Sequence, residues 1–447
     1  MERSANMPVS TEPTPVRNRA VAQAAWHSLF WLVFANAIGV LLAVLLLYPA
    51  LNRPLGEWTY GRWMMAHMNI ELYGWTSLPL VGLLFHLYGA DRGSTAAWCR
   101  PVLWVWSAAL GIGVFSWLSG YSSGKLFLDW SGYARFAFCD ALLALWLFLV
   151  IALVDNWMRG AHIALAAWMV KLLGLVVLLA VPFVLYTASS PNGYPPINPS
   201  TGGPTGTSQL ESSLAVVLIV LILPFGIAHR VPGKMRIVSA AWIIFAAECV
   251  LCAALNHSDV SHHVPAQFFS LGSLIVWLPL TPAYYAAFAW RSETRRWRAA
   301  FLVWWVVLLV TGWVFFLPGV LDRFKFTDGL VGHSFVAMAG FASSLIVFVQ
   351  VQLLGADGWI FNRSRAFILW HVGVIVYIAV MTIAGWREGV DPAFTIVPDL
   401  VRNVLYILRL ISGLLMLLAS LDWLVDASAL LREPVTVSRH LTLEKTA

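Results

Sequence analysis

Long apolar runs, separated by short polar stretches rich in Gly, Pro and charge, occupy most of the chain. A helix that crosses a bilayer needs about 20 apolar residues. By that measure spanning segments are predicted at 26–50, 64–88, 101–119, 136–155, 163–187, 211–228, 237–255, 265–290, 300–320, 330–354, 366–386 and 402–425. Lipid satisfies no backbone N–H or C=O, so runs of this length close their hydrogen bonds internally as helices. The expectation is an all-α membrane protein, a twelve-helix transmembrane bundle in one domain, 26–432, with polar tails at 1–25 and 433–447. The first tail is polar with Pro and Arg and the run after it is long enough to span, so no cleavable signal is expected. The longest polar stretch, "SSPNGYPPINPSTGGPTGTSQ", joins the fifth and sixth segments and reads as turns.

Composition sharpens this picture. The chain of 447 residues is 60% hydrophobic, 14% aromatic and 11% charged, well away from a soluble average. Its 24 Trp and 25 Phe suit aromatic belts at the two membrane faces. Charge placement predicts orientation. One set of loops and tails holds Arg3, Arg17, Arg19, Arg92, Arg100, Arg159, Arg230, Lys234, Arg236, Arg291, Arg295, Arg296, Arg298, Arg363, Arg365, Arg432, Arg439 and Lys445. The other holds Arg53, Arg62, Lys125, Arg135, Arg323, Lys325, Arg387 and Arg402. Eighteen cations against eight, by these two sets, place both termini in the cytoplasm. The net charge of +6 is therefore topological and implies no nucleic-acid partner; the expected surroundings are membrane lipid. Cys99, Cys139, Cys249 and Cys252 lie in or beside apolar runs and read as packing residues.

An ionisable side chain inside a membrane is costly and is a functional suspect on that ground. His67 lies in the second segment, "RWMMAHMNIELYGWTSLPLVGLLFHLYG", with Glu71 four residues on and on the same face. His333 lies near the outer end of the tenth, among the small residues Gly332, Ser334, Ala337, Ala339 and Gly340. The outer connection "LNHSDVSHHVPAQ" adds His257, His262 and His263, and Glu211 starts the sixth segment at the same level. Neutral imidazole ligates iron or copper through one nitrogen while a second group holds the other. Haem iron takes one or two such axial ligands. For His67 and His333 ligation is favoured over a plain polar contact; for His262 and His263, in a polar loop, the plain contact is favoured. Glu71 reads equally as a support for His67 or as an interhelical hydrogen bond. Asp140, Lys171, Glu248 and Arg409 are further intramembrane charges, read either as a proton route or haem-propionate contacts, or as structural ion pairs.

With these residues in hand, the chain resembles subunit I of the haem-copper oxidase superfamily, closest to the cbb3-type cytochrome c oxidase branch. "FTDGLVGHSFVAMAGF" resembles that family's tenth-helix motif, and "NHSDVSHHVPAQFFSLGSLIVWLP" its seventh-helix segment. "WHVGVIVYIAVMTIAGWREG" is similar to its eleventh helix. The resemblance implies that His67 and His333 bind haem, at the positions of the second-helix ligand and the first tenth-helix ligand. The second tenth-helix ligand is replaced by Phe335, which packs against a ring but cannot bind iron. The copper positions are mostly lost: the sixth segment opens "QLESSLAVV" with no His, and spacing from Pro265 puts His257 on one copper position and Ser258 on the other. His257 and Glu211 are left as donors of an altered metal site. One b-type haem is implied, and an ordinary copper centre is not expected.

Three readings follow. The first is a haem-containing oxidoreductase of respiratory electron transfer in a bacterial inner membrane, fed by a periplasmic c-type cytochrome or a haem-c subunit, with weak or no oxygen reduction. The second is a non-catalytic haem-binding or assembly relative. The third is a proton or ion transporter, against which the sequence shows no matching pair of broken helices in its two halves. No catalytic residue is assigned.

Overall fold

A computed structural model describes residues 18–125, 127–160, 164–190, 206–255 and 263–432. The first helices are α1 (Arg19–Leu47), α2 (Tyr60–Ile70), α3 (Ser77–Tyr88), α4 (Cys99–Leu118), α5 (Gly132–Met158) and α6 (Leu165–Ala188). Next come α7 (Gly206–Ile222), α8 (Met235–Ala254), α9 (Pro265–Gly272), α10 (Trp277–Tyr285) and α11 (Arg295–Phe316). The last are α12 (Val320–Phe324), α13 (Asp328–Phe335), α14 (Ser343–Leu354), α15 (Ser364–Glu388) and α16 (Leu400–Arg432). Among the described residues ten helical stretches are long and apolar enough to cross a membrane, so the chain is an all-α membrane protein. Two of the twelve predicted segments behave differently. The stretch from α2 to α3 is helical throughout but is diluted by His67, Asn69, Glu71 and His86. The apolar part of α7, Leu210–Ile222, is shorter than the other ten.

Local chemistry explains the helix ends. Asn18 caps α1 by accepting from the Val21 N–H at 3.2 Å. Gly89 stops α3 in the left-handed conformation, φ +67°, returning its N–H to the last turn. The start of α1 lies beside the end of α16: Trp26 Nε1 donates to Ser428 Oγ at 2.9 Å, and Asn36 Nδ2 to Ser420 Oγ at 3.1 Å. Residues 18 and 432 therefore share one face of the bundle, called here the terminal face. On it a two-residue antiparallel ladder joins β1 (His229–Arg230) to β2 (Phe288–Ala289).

α1 is apolar all round because it is buried on two sides. Val21, Ala25, Leu29 and Leu32 enter one core, with residues of α7, α11, α14, α15 and α16. Ala24, Trp31, Ala35 and Ile38 enter another, with residues of α2 to α5. α13 and α15 approach backbone to backbone at Gly329 and Gly385, where no side chain would fit. α6 is peripheral and mostly exposed, held by Tyr88 Oη to Lys171 O at 2.8 Å and Trp146 Nε1 to Leu175 O at 3.0 Å.

The tryptophans do more than line the membrane faces. Trp75, Trp117, Trp130, Trp277, Trp297, Trp305, Trp370 and Trp423 are fully buried. Several carry an indole N–H onto a backbone carbonyl of another element: Trp117 to Asp129, Trp297 to Phe361, Trp305 to Trp277. In an apolar core such bonds have little competition from water. The connection between α4 and α5 is fixed similarly. The buried Asp129 carboxylate accepts from Asn69 Nδ2 at 2.9 Å and Ser122 Oγ at 3.3 Å. Burial pushes its pKa above the usual carboxylate range, and those hydrogen bonds offset part of the rise.

Candidate functional site

The two histidines singled out by sequence stand on helices that enter from the face opposite the termini. His67 projects from α2 onto α1. Its Nδ1 is 2.9 Å from the carbonyl of Ala35. A carbonyl only accepts, so Nδ1 carries the proton and the Nε2 lone pair is left open. The imidazole lies on Gly39, where a Cβ would come 3.1 Å from Cε1. Nε2 makes no hydrogen bond to a described residue.

His333 projects from α13 onto α11. Its Nδ1 is 3.3 Å from Thr311 Oγ1, and that hydroxyl donates its own hydrogen to Val307 O at 2.6 Å. Thr311 therefore accepts from Nδ1–H, and Nε2 again presents a lone pair with no described partner. The ring lies on Gly312, with a Cβ there meeting Cε1 at 3.4 Å, and edge-on to Phe315 at 5.5 Å. His371 makes the contrast. Trp304 Nε1 donates to its Nδ1 at 3.2 Å, which puts the proton on Nε2, and Nε2 is buried without an acceptor among the described residues. Two of these three membrane histidines thus keep an unprotonated Nε2, and the third does not.

Both helices change pitch just past the histidine. Glu71–Thr76 and Val336–Ala342 are π turns, a form that concentrates at functional sites. The two are built alike. Ser77 and Ser343, the residues after each turn, donate N–H and hydroxyl to the carbonyl five residues back, Leu72 and Met338, with hydroxyl distances of 2.8 and 2.9 Å. An indole from another helix reaches the next carbonyl: Trp106 to Tyr73 at 2.8 Å, Trp370 to Ala339 at 3.1 Å. Gly74 receives the side chain of Trp31, and Gly340 that of Trp304. The sequence contains a signal for this that apolar-run reading passes over. A His, a Gly seven residues on and a Ser three further recur as His67, Gly74, Ser77 and His333, Gly340, Ser343. The partner helices repeat a Trp and a Gly eight apart, Trp31 and Gly39, Trp304 and Gly312. Both helices run on through their π turns with no unwound segment, so the matched pair is one of pitch changes and not of broken helices.

The other predicted residues fall as follows. Phe335 stacks on Tyr377, ring centroids 4.1 Å apart. Glu71, half-buried at the start of its π turn, makes no hydrogen bond to a described residue, and Ala35 takes the support position at His67. Glu211 is exposed at the start of α7. His257 and His262 lie outside the described residues; His263 pairs with Asp322 at 3.1 Å. His67 sits against α1 and His333 against α11, and among the described residues no three of His, Cys, Asp and Glu gather as a metal site would need. Asp140 is exposed, the Lys171 ammonium lies 5.9 Å from the Tyr88 ring, and Glu248 accepts from Trp277 Nε1 at 2.6 Å. Arg409 is buried within electrostatic reach of His67 and pairs with Asp328 at 3.8 Å. Its guanidinium faces the phenols of Tyr60 and Tyr377, and Glu388 Oε2 accepts from the Asp328 N–H at 2.5 Å.

Fold and composition thus define an integral membrane protein of all-helical class. No protein-family model matches the chain, and no curated protein is significantly similar to it.

Proposed function

We propose that the chain is a haem-binding membrane subunit related to subunit I of the haem-copper oxidases, a twelve-helix bundle that takes part in respiratory electron transfer. One observation carries the reading: His67 and His333 each have Nδ1 held by an acceptor, while Nε2 makes no hydrogen bond to a described residue. That is the arrangement an axial ligand needs, because the second nitrogen fixes tautomer and ring plane. The donor set fits a b-type haem held by His333, with His67 as a second ligand position and Arg409 as counter-charge for an acidic side group. When bound, the iron supplies one-electron chemistry. The chain's part is to orient imidazole, exclude water with Phe315, Phe335 and Tyr377, and hold the buried charges of Arg409 and Asp328.

A copper centre is not part of the proposal, since the start of α7 has no imidazole and Ser258 stands at one of the two remaining copper positions. Weak or no oxygen reduction follows, and the same substitutions favour a non-catalytic haem-binding or assembly role as the second reading. The cationic loops support cytoplasmic termini in a bacterial inner membrane, with electrons delivered by a periplasmic c-type cytochrome or haem-c subunit. The test is the absorption spectrum of the purified protein and its variants. His333→Ala should lose haem, whereas Phe335→Ala should retain it, without the spectrum of a bis-imidazole centre. Full haem content in His333→Ala would refute the anchoring role. Oxygen uptake with reduced cytochrome c at the rate of a terminal oxidase, with stoichiometric copper, would refute the loss of the copper site.

A further inference from the structure

The two π turns touch. Trp75, inside the first, donates its indole N–H to Ser343 Oγ, at the end of the second, at 2.8 Å. Ser343 passes the bond on, its hydroxyl donating to Met338 O at 2.9 Å. The relay from indole to hydroxyl to carbonyl runs from one π turn into the core of the other, where hydrogen bonds polarise one another. Trp75 and Ser343 are both fully buried, so water offers neither a substitute partner.

We propose that this relay clasps the two π turns into one positioning unit, which fixes the heights of His67 and His333 relative to each other. Trp75 and Ser343 are its positioning residues. Each histidine stands ten residues before the serine that closes its own turn. The clasp joins Trp75, eight residues after His67, to Ser343, ten residues after His333, so it ties the height of one helix to that of the other. A π turn is the natural place for such a joint, because its wide ring leaves carbonyls open to outside donors. Losing the clasp leaves each turn with its own serine and indole bonds but lets the helices slide independently. The coupling stands on the hydrogen bonds alone. Its use, holding two ligands in register, rests on the haem reading above.

The experiment is amide hydrogen exchange of the full-length protein in lipid nanodiscs, read over 71–76 and 336–342, for Trp75→Phe, Ser343→Ala and the double variant. Trp75→Phe removes only the indole N–H. It should speed exchange in both turns, by about fivefold, the factor one neutral hydrogen bond represents. The double variant should exchange no faster across the two turns than Ser343→Ala, and Ser343→Thr, which keeps the hydroxyl, should restore the wild-type rate in 71–76. Faster exchange confined to the mutated turn, or additive effects in the double variant, would overturn the clasp. Absorption spectra of the same samples report the second half: Trp75→Phe should shift the haem bands without loss of haem. A wild-type protein without haem refutes the ligand reading yet leaves the exchange test of the clasp in force.

Discussion

Removing the Arg409 guanidinium should strongly destabilise the bundle. The cation is 7% exposed and its carboxylate partner, on Asp328, lies 3.8 Å away. At an effective dielectric of about 20, that separation is worth about 4 kcal/mol of attraction. Much of this is spent on desolvating the two ions, so the pair is a weak net stabiliser while intact. Breaking it is different, because a buried charge is left uncompensated, at a cost of about 3–5 kcal/mol. Arg409→Gln leaves Asp328 facing Glu388, whose carboxylate already accepts from the Asp328 N–H, so two acids share a site with no cation. Asp328→Asn should be milder. Arg409 then keeps the Tyr60 and Tyr377 phenols, although α13 loses a carboxylate from its first turn. The double variant Arg409→Gln/Asp328→Asn removes both charges. Unfolding by denaturing detergent, followed by tryptophan fluorescence, should place the double variant closer to wild type than Arg409→Gln is. The coupling energy should reach about 2 kcal/mol, within the range seen for residues in one charge network. Additive losses would refute the reasoning and reduce the pair to two unrelated polar contacts.

Three further outcomes are expected. Asp129 holds its proton more firmly folded than unfolded, so its contribution is fully present below the ordinary aspartate pKa and is lost as pH rises through the elevated folded value. Thermal unfolding of Asp129→Asn across that window should lose this slope, and an unchanged slope would assign it to other groups. Gly385→Ala should lower stability by about 1–3 kcal/mol or more, since its Cβ would overlap the backbone of Gly329, which cannot rotate away. Reporter fusions after Gly206 and after Arg230 should fall on opposite sides of the membrane, and the same side for both would sink the predicted orientation.

Much of the fold was legible because lipid leaves so few options. Any run of about 20 apolar residues becomes a helix whatever its neighbours do. The stretches that resisted are those in which polar residues interrupt the run, α2 with His67, Asn69 and Glu71 above all. The same polar residues made His67 conspicuous as a candidate where the span was faint. Partnership was less legible. Arg409 stood out as a buried cation, but its carboxylate, Asp328, sits 81 positions away at a helix start. There it reads as an ordinary first-turn acid. Sequence spacing fixes neighbours within a helix, not across it. Nor does sequence show the tautomer that distinguishes His371 from His333. The difference lies in whether the Nδ1 partner is an indole donor or a hydroxyl whose own proton is already committed.

The abundance of tryptophan and the π turns express the same constraint. Inside a bilayer core, a carbonyl released by a change of helical pitch has no water to accept from, so a side chain must supply the donor. Serine and threonine reach only their own helix, as Ser77 and Ser343 do. Lysine and arginine would bring charge into the core. Indole combines a long reach, a large apolar surface and one neutral N–H, and Trp106 and Trp370 use it on Tyr73 and Ala339. A helix that bends its register to aim a histidine therefore depends on a tryptophan from a neighbour. Replacing Trp106 or Trp370 by Phe should loosen the matching π turn while leaving the apolar packing nearly intact, a separation of hydrogen bond from burial that amide exchange can read directly.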